Sequence, residues 1–559
     1  MKTQYFNLPP HILELTNQRL NAWQSKKYNS RIWQKDATIW KEDPKEHPEL
    51  ANRLGWLELP VSMKNYSVSF KSFADEVKND FSHVLLLGMG GSSLCPEVLA
   101  KTFGPIEGYP KLAIVDTTHP AVIKKIEKEY DFKKTLFLLA SKSGGTAETM
   151  SFFYRFYDLL SKQIENPGEN FVALTDPNTS LEKLAKEKNF RKIFYTPSEV
   201  GGRYSALTPF GLVPAALIGI DIEKFLFNAE EFSLNCAENI QVKENPGMYL
   251  GALIGEMSLT GIDKLPFFVS PQISSFPQWV EQLVAESSGK EGKGILPVAD
   301  EPITDILNYG KDRFFIFVRL ENDDNTQLDK HFEMLKNAGF QILLIDLKDK
   351  YELSAEFFRW ELATAFSGVV LGINPFDQPD VQVAKTLANE GLAEYHKNGK
   401  LPESTPSNKF GNIEIYSNQK FDSLEETIKN FMSDLSENEF IGILSFIPYG
   451  NEIDKALLGI RKKLMEKYKI TVTTGYGPRF LHSTGQLHKG GSVKCRFIQI
   501  TDSILDDVEV PGKGYSFGVL IQAQAMGDLK ALQNKNRKNL RLNITASLAE
   551  SLQKIEEVI

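Results

Sequence analysis

Several short stretches of this chain carry residue types that could act on a small anion. The first is Ser141-Lys142-Ser143-Gly144-Gly145-Thr146, three hydroxyls, a lysine and two glycines placed directly after the apolar run at 136–140. An amphipathic segment follows, so the stretch reads as strand, polar turn, helix. Free amides and the helix dipole both favour an anion at such a helix start, and glycine lets the backbone approach it closely. Alone, the stretch fits an anion site and an ordinary strand–helix turn equally well. A second turn, Gly88-Met89-Gly90-Gly91-Ser92-Ser93, also follows an apolar run and precedes a helix begun near Pro96. Its third fingerprint position is Ser93 and it lacks Gly-Lys-Ser/Thr, so it fits neither a dinucleotide fingerprint nor a P-loop. Two such turns at the carboxyl edge of one sheet could grip one phosphate from two sides.

Four further stretches add charge. Arg203 follows two glycines in PSEVGGRYSALTPFGLVPAAL and precedes an apolar helix; it can serve a structural ion pair or stabilise a developing oxyanion, and the glycines favour the second. In SSFPQWVEQLVAESSGKEGKG, Pro277 suits a first helical turn, Ser274 or Ser275 a cap, and Gly289 a stop. Gln282 and Glu286 are four apart and so share a helix face, with Glu286 near the C-terminal end, where the dipole opposes a carboxylate and favours base character. The competing reading is a solvated acid beside Lys290 and Lys293. Lys385 would begin a helix after the turn GINPFDQP, and GYGPRFLHSTGQLHKGG holds His482 and His488 in a glycine-rich loop of a kind that packing seldom produces alone. His-x5-His without a nearby cysteine is no zinc spacing, so no metal is assigned.

These groups need positioning elements, and the chain supplies them. Its 559 residues predict several domains, and 42% hydrophobic with 24% charged residues is ordinary for a globular protein with large cores. A net charge of −8 argues against nucleic acid or an acidic membrane as partner, so an anion must be held by local groups. Three cysteines without metal-like spacing fit a reducing compartment; the first residues lack a signal-peptide core, and the longest apolar run, 207–220, is cut by prolines. The expected location is the cytoplasm.

Residues 1–60 read as an arm carrying Trp33, Trp40 and Trp56. An intramolecular helical lead-in is favoured over a docking or homodimer contact, and oligomeric state is left open. From residue 80 onward, continuous apolar runs at 84–94, 111–116, 135–141, 171–176 and 192–197 alternate with helical spacing, which means strands buried on both faces of a parallel sheet. Helical signals fill 205–260. A second set of strands is expected at 264–270, 314–320, 341–346 and 368–373. After a polar interval at 408–423, a third alternating section has apolar runs at 439–448, 470–474, 493–501, 517–525 and 540–545, with a helix near 451–468.

Together, GMGGSSL, SKSGGTAET, SEVGGRYSA, VEQLVAESSGKEGKG and NPFDQPDVQVAK, in that order over roughly residues 80–390, resemble the glucose-6-phosphate isomerase family. The arm RIWQKDATIWKEDPKEHPELANRLGWL and the loop GYGPRFLHSTGQLHKGG resemble the isomerase half of bacterial bifunctional transaldolase–isomerase proteins. The resemblance implies an α/β fold of two doubly wound parallel-sheet sugar-isomerase domains, at 61–240 and 241–405, with the arm before them and an additional α/β section at 406–559. It implies that Gly91, Ser92, Ser141, Lys142, Ser143 and Thr146 hold a sugar phosphate, that Gln282 contacts substrate, and that Arg203 stabilises an enediolate. Glu286 would be the base and Lys385 would assist ring opening.

The family's ring-opening histidine lies between that glutamate and that lysine, where this chain has only His331 in an amphipathic pattern. His482 is therefore assigned the role, with His488 as runner-up and the supplying subunit left open. No cofactor is implied. The expected activity is interconversion of glucose 6-phosphate and fructose 6-phosphate. Its competitors are an isomerase that also takes mannose 6-phosphate, a non-catalytic phosphosugar-binding regulator and, disfavoured by Ser93, a nicotinamide-dependent oxidoreductase.

Overall fold

The computed structural model describes residues 4–402 and 405–559. The expected arm (1–60) and second sugar-isomerase section (241–405) thus include positions 1–3 and 403–404, which lie outside the described residues. The chain divides into two compact units. One holds the residues up to Asp116 with Tyr130–Asp300 and Arg313–Gln378; the other holds Thr117–Glu129, Glu301–Asp312 and Pro379–Ile559.

The first unit carries two parallel sheets and a short N-terminal strand, β1 (Gln4–Asn7). The first sheet has β2 (His83–Gly88), β3 (Lys111–Val115), β4 (Thr135–Ala140), β5 (Phe171–Thr175) and β6 (Lys192–Tyr195), in the order β3-β2-β4-β5-β6, all parallel. β4 and β5 are buried at every position, which is why their sequences are apolar without alternation. Alternate residues serve two cores. Val84, Leu86, Leu136 and Leu138 join helix Leu94–Phe103 on one face, while Phe137 on the other stacks with Phe156 of helix Ala147–Ser161. Helices on both faces make the sheet doubly wound.

The second sheet contains β7 (Lys264–Val269), β8 (Leu296–Val298), β9 (Phe314–Leu320) and β10 (Gln341–Leu347), in the order β1-β10-β9-β7-β8. Its strands are parallel except β1, which pairs antiparallel with β10, Gln4 opposite Ile345. The N-terminal stretch expected to be a packing arm thus begins as an edge strand. The rest of it packs within the unit as the lead-in reading expects: Trp40 donates to the Ala365 carbonyl at 2.7 Å, and Trp56 is fully buried against Tyr204 and Phe358.

The strand expected at 368–373 is instead the end of helix Leu353–Leu371, in which every residue but Val369 is buried. A helix buried on nearly every side needs no 3.6-residue apolar stripe, so the continuously apolar end of its sequence resembles a buried strand. It lies tight against helix Pro246–Leu259, which faces it with Gly247, Gly251 and Gly255; a Cβ on Gly251 would stand 2.6 Å from the Ala363 carbonyl oxygen.

The second unit is built on a six-stranded sheet of β11 (Asn408–Phe410), β12 (Ile413–Tyr416), β13 (Phe440–Phe446), β14 (Thr471–Tyr476), β15 (Cys495–Asp502) and β16 (Lys538–Ile544). Its order is β11-β12-β16-β15-β13-β14, with the β11–β12 hairpin antiparallel at one edge and the other four strands parallel. The hairpin occupies the interval read as merely polar. The apolar run at 517–525 opens helix Phe517–Asn534, capped by Ser516, whose hydroxyl accepts from the Val519 amide. Among the described residues no helix is long and apolar enough to cross a membrane.

Candidate active site

Register places the two glycine turns side by side. β2 and β4 are neighbours with Gly88 opposite Ala140, so the chain leaves both strands at one sheet edge. β3 lies on one side of β2 and β4 on the other, which makes this the topological switch point of the sheet, where open α/β sheets leave a crevice.

In the second turn of the pair, Ser141 is buried and shares a hydrogen bond with Thr146 (Oγ to Oγ1, 3.0 Å), while the Gly144 amide donates to the Ser141 hydroxyl at 3.1 Å. Gly144 has φ +72°, and a Cβ there would meet the Leu181 amide nitrogen at 2.6 Å. Thr146 caps helix Ala147–Ser161 without a side-chain bond to its amides, and Ser143 is exposed. The first turn of that helix therefore presents amides and hydroxyls together, as an anion requires.

Lys142 is committed elsewhere. Its ammonium pairs with Asp176 at 2.5 Å and reaches the Pro197 and Ser198 carbonyls at 3.3 Å each, tying the turn to the ends of β5 and β6. Burial pulls its proton affinity down, with Asp176 opposing. Its contribution to an anion site is therefore a nearby charge and a fixed loop.

The other turn reaches Arg203. Gly91 has no room for a side chain, since a Cβ would lie 2.0 Å from the Gly202 carbonyl oxygen and 2.9 Å from the Arg203 amide. Ser205 closes the contact by donating to the Gly91 carbonyl at 3.2 Å, and Ser92 ends the short 3-10 turn that follows β2. The glycines of the VGGR stretch thus let two backbones touch, and the arginine is aimed from that contact.

Arg203 is 3% exposed. Its Nε donates to Ser287 Oγ at 2.7 Å, Nη1 to Gln378 Oε1 at 2.9 Å, and Nη2 to the carbonyls of Pro375 and Asp377 at 2.8 and 2.9 Å. Glu286 Oε1 stands 3.4 Å from Nη1. Helix Phe276–Ser288 delivers that carboxylate, with Pro277 in its first turn and Gly289 at its stop, as the sequence implies. Ser275 precedes the helix, but no side chain caps it, which departs from the expected serine cap. Gln282, one turn before Glu286, donates from Nε2 to Glu286 Oε2 at 3.1 Å.

The two lysines weighed as partners of Glu286 are engaged elsewhere. Lys290 donates to the Asn374 carbonyl at 2.5 Å and pairs with Asp377 at 2.7 Å; Lys293 donates to the Leu371 carbonyl at 2.6 Å, at the C-terminal end of helix Leu353–Leu371. Glu286 is therefore not a solvated acid matched to its lysines. It faces a guanidinium and an amide in a largely enclosed position.

The first unit thus brings together Gly91, Ser92, Ser141, Lys142, Ser143, Thr146, Arg203, Gln282 and Glu286. Lys385 and His482 belong to the second unit. Helix Pro379–Asn398 begins six residues before Lys385, earlier than the sequence suggested, and Lys385 is exposed on its second turn. The histidine loop folds into a 3-10 turn, Arg479–His482, and a short helix, Gly485–Gly490. Gln486 from this loop accepts from the Asp380 and Val381 amides at 2.9 and 3.3 Å and donates to the Asp380 carboxylate at 2.7 Å, so the loop caps the helix that bears Lys385.

His482 is half-buried there. His488 fills a core position between the rings of Phe480 and Phe497, where burial and nearby Lys489 and Arg537 keep its ring neutral well below the usual range. His331 is likewise enclosed, against Phe268 and Phe317, with burial lowering its pKa to about 4. Among the described residues no cluster of three or more His, Cys, Asp or Glu could hold a metal. Ser287, Gln378, Asp377 and Lys290 escaped the sequence reading as site residues. The ESSGK and NPFDQ stretches were the available signal, but the pairing across them is tertiary.

The family model described as phosphoglucose isomerase matches residues 58–312, a span that includes both glycine turns, Arg203, Gln282 and Glu286. A glucose-6-phosphate isomerase of Clostridium novyi is 29% identical over 391 residues, covering 59% of this chain and 85% of its own; that of Enterococcus faecalis is 27% identical over 384 residues with the same coverages. Among solved structures, a hypothetical protein from Thermus thermophilus superposes with a TM-score of 0.59 at 24% identity, covering 70% of this chain and all of that one. A glucose-6-phosphate isomerase from Chlamydia trachomatis gives 0.50 at 19% identity, over 67% of this chain and 79% of its own, and supports the same fold. Over residues 58–312 the chain is thus similar to the phosphoglucose isomerase family.

Proposed function

We propose that this protein is an aldose–ketose isomerase that interconverts glucose 6-phosphate and fructose 6-phosphate in the cytoplasm. One observation carries the reading at the level of chemistry: a largely enclosed carboxylate, Glu286, faces a guanidinium at 3.4 Å and an amide at 3.1 Å. The backbone behind that guanidinium touches a glycine turn at the sheet's switch point.

Moving a hydrogen between C2 and C1 needs a base that takes a proton from one carbon and returns it to the other, and a cation for the enediolate oxygens formed between. Glu286 is the base, with Gln282 fixing its second oxygen and contacting the sugar. Arg203 is held by four other hydrogen bonds and so meets the developing charge without reorganising. Gly91, Ser92, Ser141, Ser143 and Thr146 hold the phosphate, with Lys142 as charge and brace. Ring opening is assigned to Lys385 and His482, since His488 and His331 are both walled in by aromatic rings.

The test is fructose 6-phosphate offered to the purified chain, with glucose 6-phosphate read through a coupled dehydrogenase. Absence of product from folded protein that binds the sugar phosphate would favour the regulator reading. Formation of mannose 6-phosphate alongside would identify the dual isomerase. In the same assay, His482→Ala should slow turnover of the cyclic anomers more than of open-chain sugar; equal rates would remove His482 from ring opening.

A further inference from the structure

The isomerase chemistry leaves Lys290 without a task, although it sits two residues beyond the helix that ends at Ser288 and is only 3% exposed. An ammonium is costly to bury unless it is paired. Here it donates to the Asn374 carbonyl at 2.5 Å and forms an ion pair with Asp377 Oδ1 at 2.7 Å.

Both partners belong to the turn at 374–378, and that turn is the cradle of Arg203. Its Pro375 and Asp377 carbonyls take Nη2 at 2.8 and 2.9 Å, and Gln378 takes Nη1 at 2.9 Å. Asn374 shapes the turn itself, its side-chain oxygen accepting from the Phe376 amide at 2.9 Å. Three of the four hydrogen bonds that hold the Arg203 guanidinium beside Glu286 therefore come from a segment that Lys290 grips.

We propose that Lys290 is a positioning residue of the isomerase: it clamps the 374–378 turn to the end of the Glu286 helix and so fixes the Arg203 guanidinium opposite the carboxylate. The inference rests on the roles given above to Arg203 and Glu286. The ionic surroundings are consistent with a clamp. Burial and the charge of Arg203 push the Lys290 pKa down to about 7, against Asp377 and Glu286, which favour the charged form.

The test uses the full chain with Lys290→Met and Asp377→Asn, singly and combined, after circular dichroism and melting establish folding. A displaced Arg203 stabilises the enediolate poorly but leaves the phosphate site intact. The expected result is a fall in kcat of up to ~10²-fold, the scale of loss for a displaced catalytic group, with KM for fructose 6-phosphate nearly unchanged. If the clamp is one unit, the double variant should lose little more than either single one.

A kcat close to wild type in folded Lys290→Met, a change confined to KM, or fully additive losses would overturn the proposal. Should Lys290→Met fail to fold, Asp377→Asn keeps the shape of the turn and carries the same kcat-against-KM reading. Wild-type protein inactive on fructose 6-phosphate would sink the isomerase reading and this inference together. An active wild type with unaffected variants sinks this one alone.

Discussion

Glu286→Gln separates base catalysis from substrate binding, because the structure allows the new amide to sit where the carboxylate sat. Glu286 accepts from Gln282 Nε2 at 3.1 Å and forms an ion pair with the Arg203 guanidinium at 3.4 Å. An amide has one accepting and one donating end. Its oxygen can stay toward Arg203 while its NH2 turns to Gln282, whose own amide can reverse to accept. The fold then loses one anion beside a guanidinium that keeps four other hydrogen bonds. The expected stability cost is about 1–3 kcal/mol.

The rate cost is larger. A positioned general base is worth roughly 10²–10⁴-fold, which at about 1.4 kcal/mol per decade is some 3–5 kcal/mol of barrier. Coupled turnover of fructose 6-phosphate should therefore show kcat down by at least about 10²-fold, with KM nearly constant because the phosphate turns are untouched. Thermal melting should still show a cooperative folded state. A folded variant with kcat within a few-fold of wild type would refute the assignment of Glu286 as base. A loss confined to KM would refute the separation of phosphate anchoring from chemistry.

Two further outcomes follow from packing and burial. Gly91→Ala places a Cβ 2.0 Å from the Gly202 carbonyl oxygen, so the Arg203 turn must move; stability should fall by about 1–3 kcal/mol, the scale of overpacking, and kcat should fall more than KM rises, whereas a fully active variant would show that the backbone contact does not aim Arg203. His331 is held neutral by burial, its pKa lowered from 6.5 to about 4. The unfolded chain therefore binds the proton more readily, and the stability of the neutral form, fully present above the unfolded pKa, is lost as pH falls from 6.5 toward 4. Between pH 7.5 and 5 the loss should be about 2 kcal/mol. Urea unfolding of His331→Leu should lack that share of the slope; an unchanged pH dependence would show that His331 titrates normally.

The amino-acid sequence by itself determined the layered architecture and the local chemistry. Continuous apolar runs announced strands buried on both faces, and β2, β4, β5, β9 and β13 lie where those runs lie. Polar glycine turns marked the ends of β2 and β4, and the spacing of Gln282 and Glu286 put them on one helix face with the hydrogen bond that spacing allows. Local signals of this kind survive because strand, turn and helix preferences depend on near neighbours.

Tertiary structure decided the rest. The runs at 368–373 and 517–525 read as strands but are helical: the first ends a helix enclosed on nearly all sides, which needs no polar face, and the second opens a helix whose first turns are mostly buried. The edge strand β1 has meaning only through its pairing with β10, more than three hundred residues along the chain. Lys142 carries the charge of an anion site yet turns to Asp176. Arg203 finds its acceptors 84 to 175 residues away, on Ser287 and in the turn that Lys290 grips. Composition and period name which side chains are present on an element. Which charge meets which acceptor depends on how sheets and helices close on one another, and that information is not local.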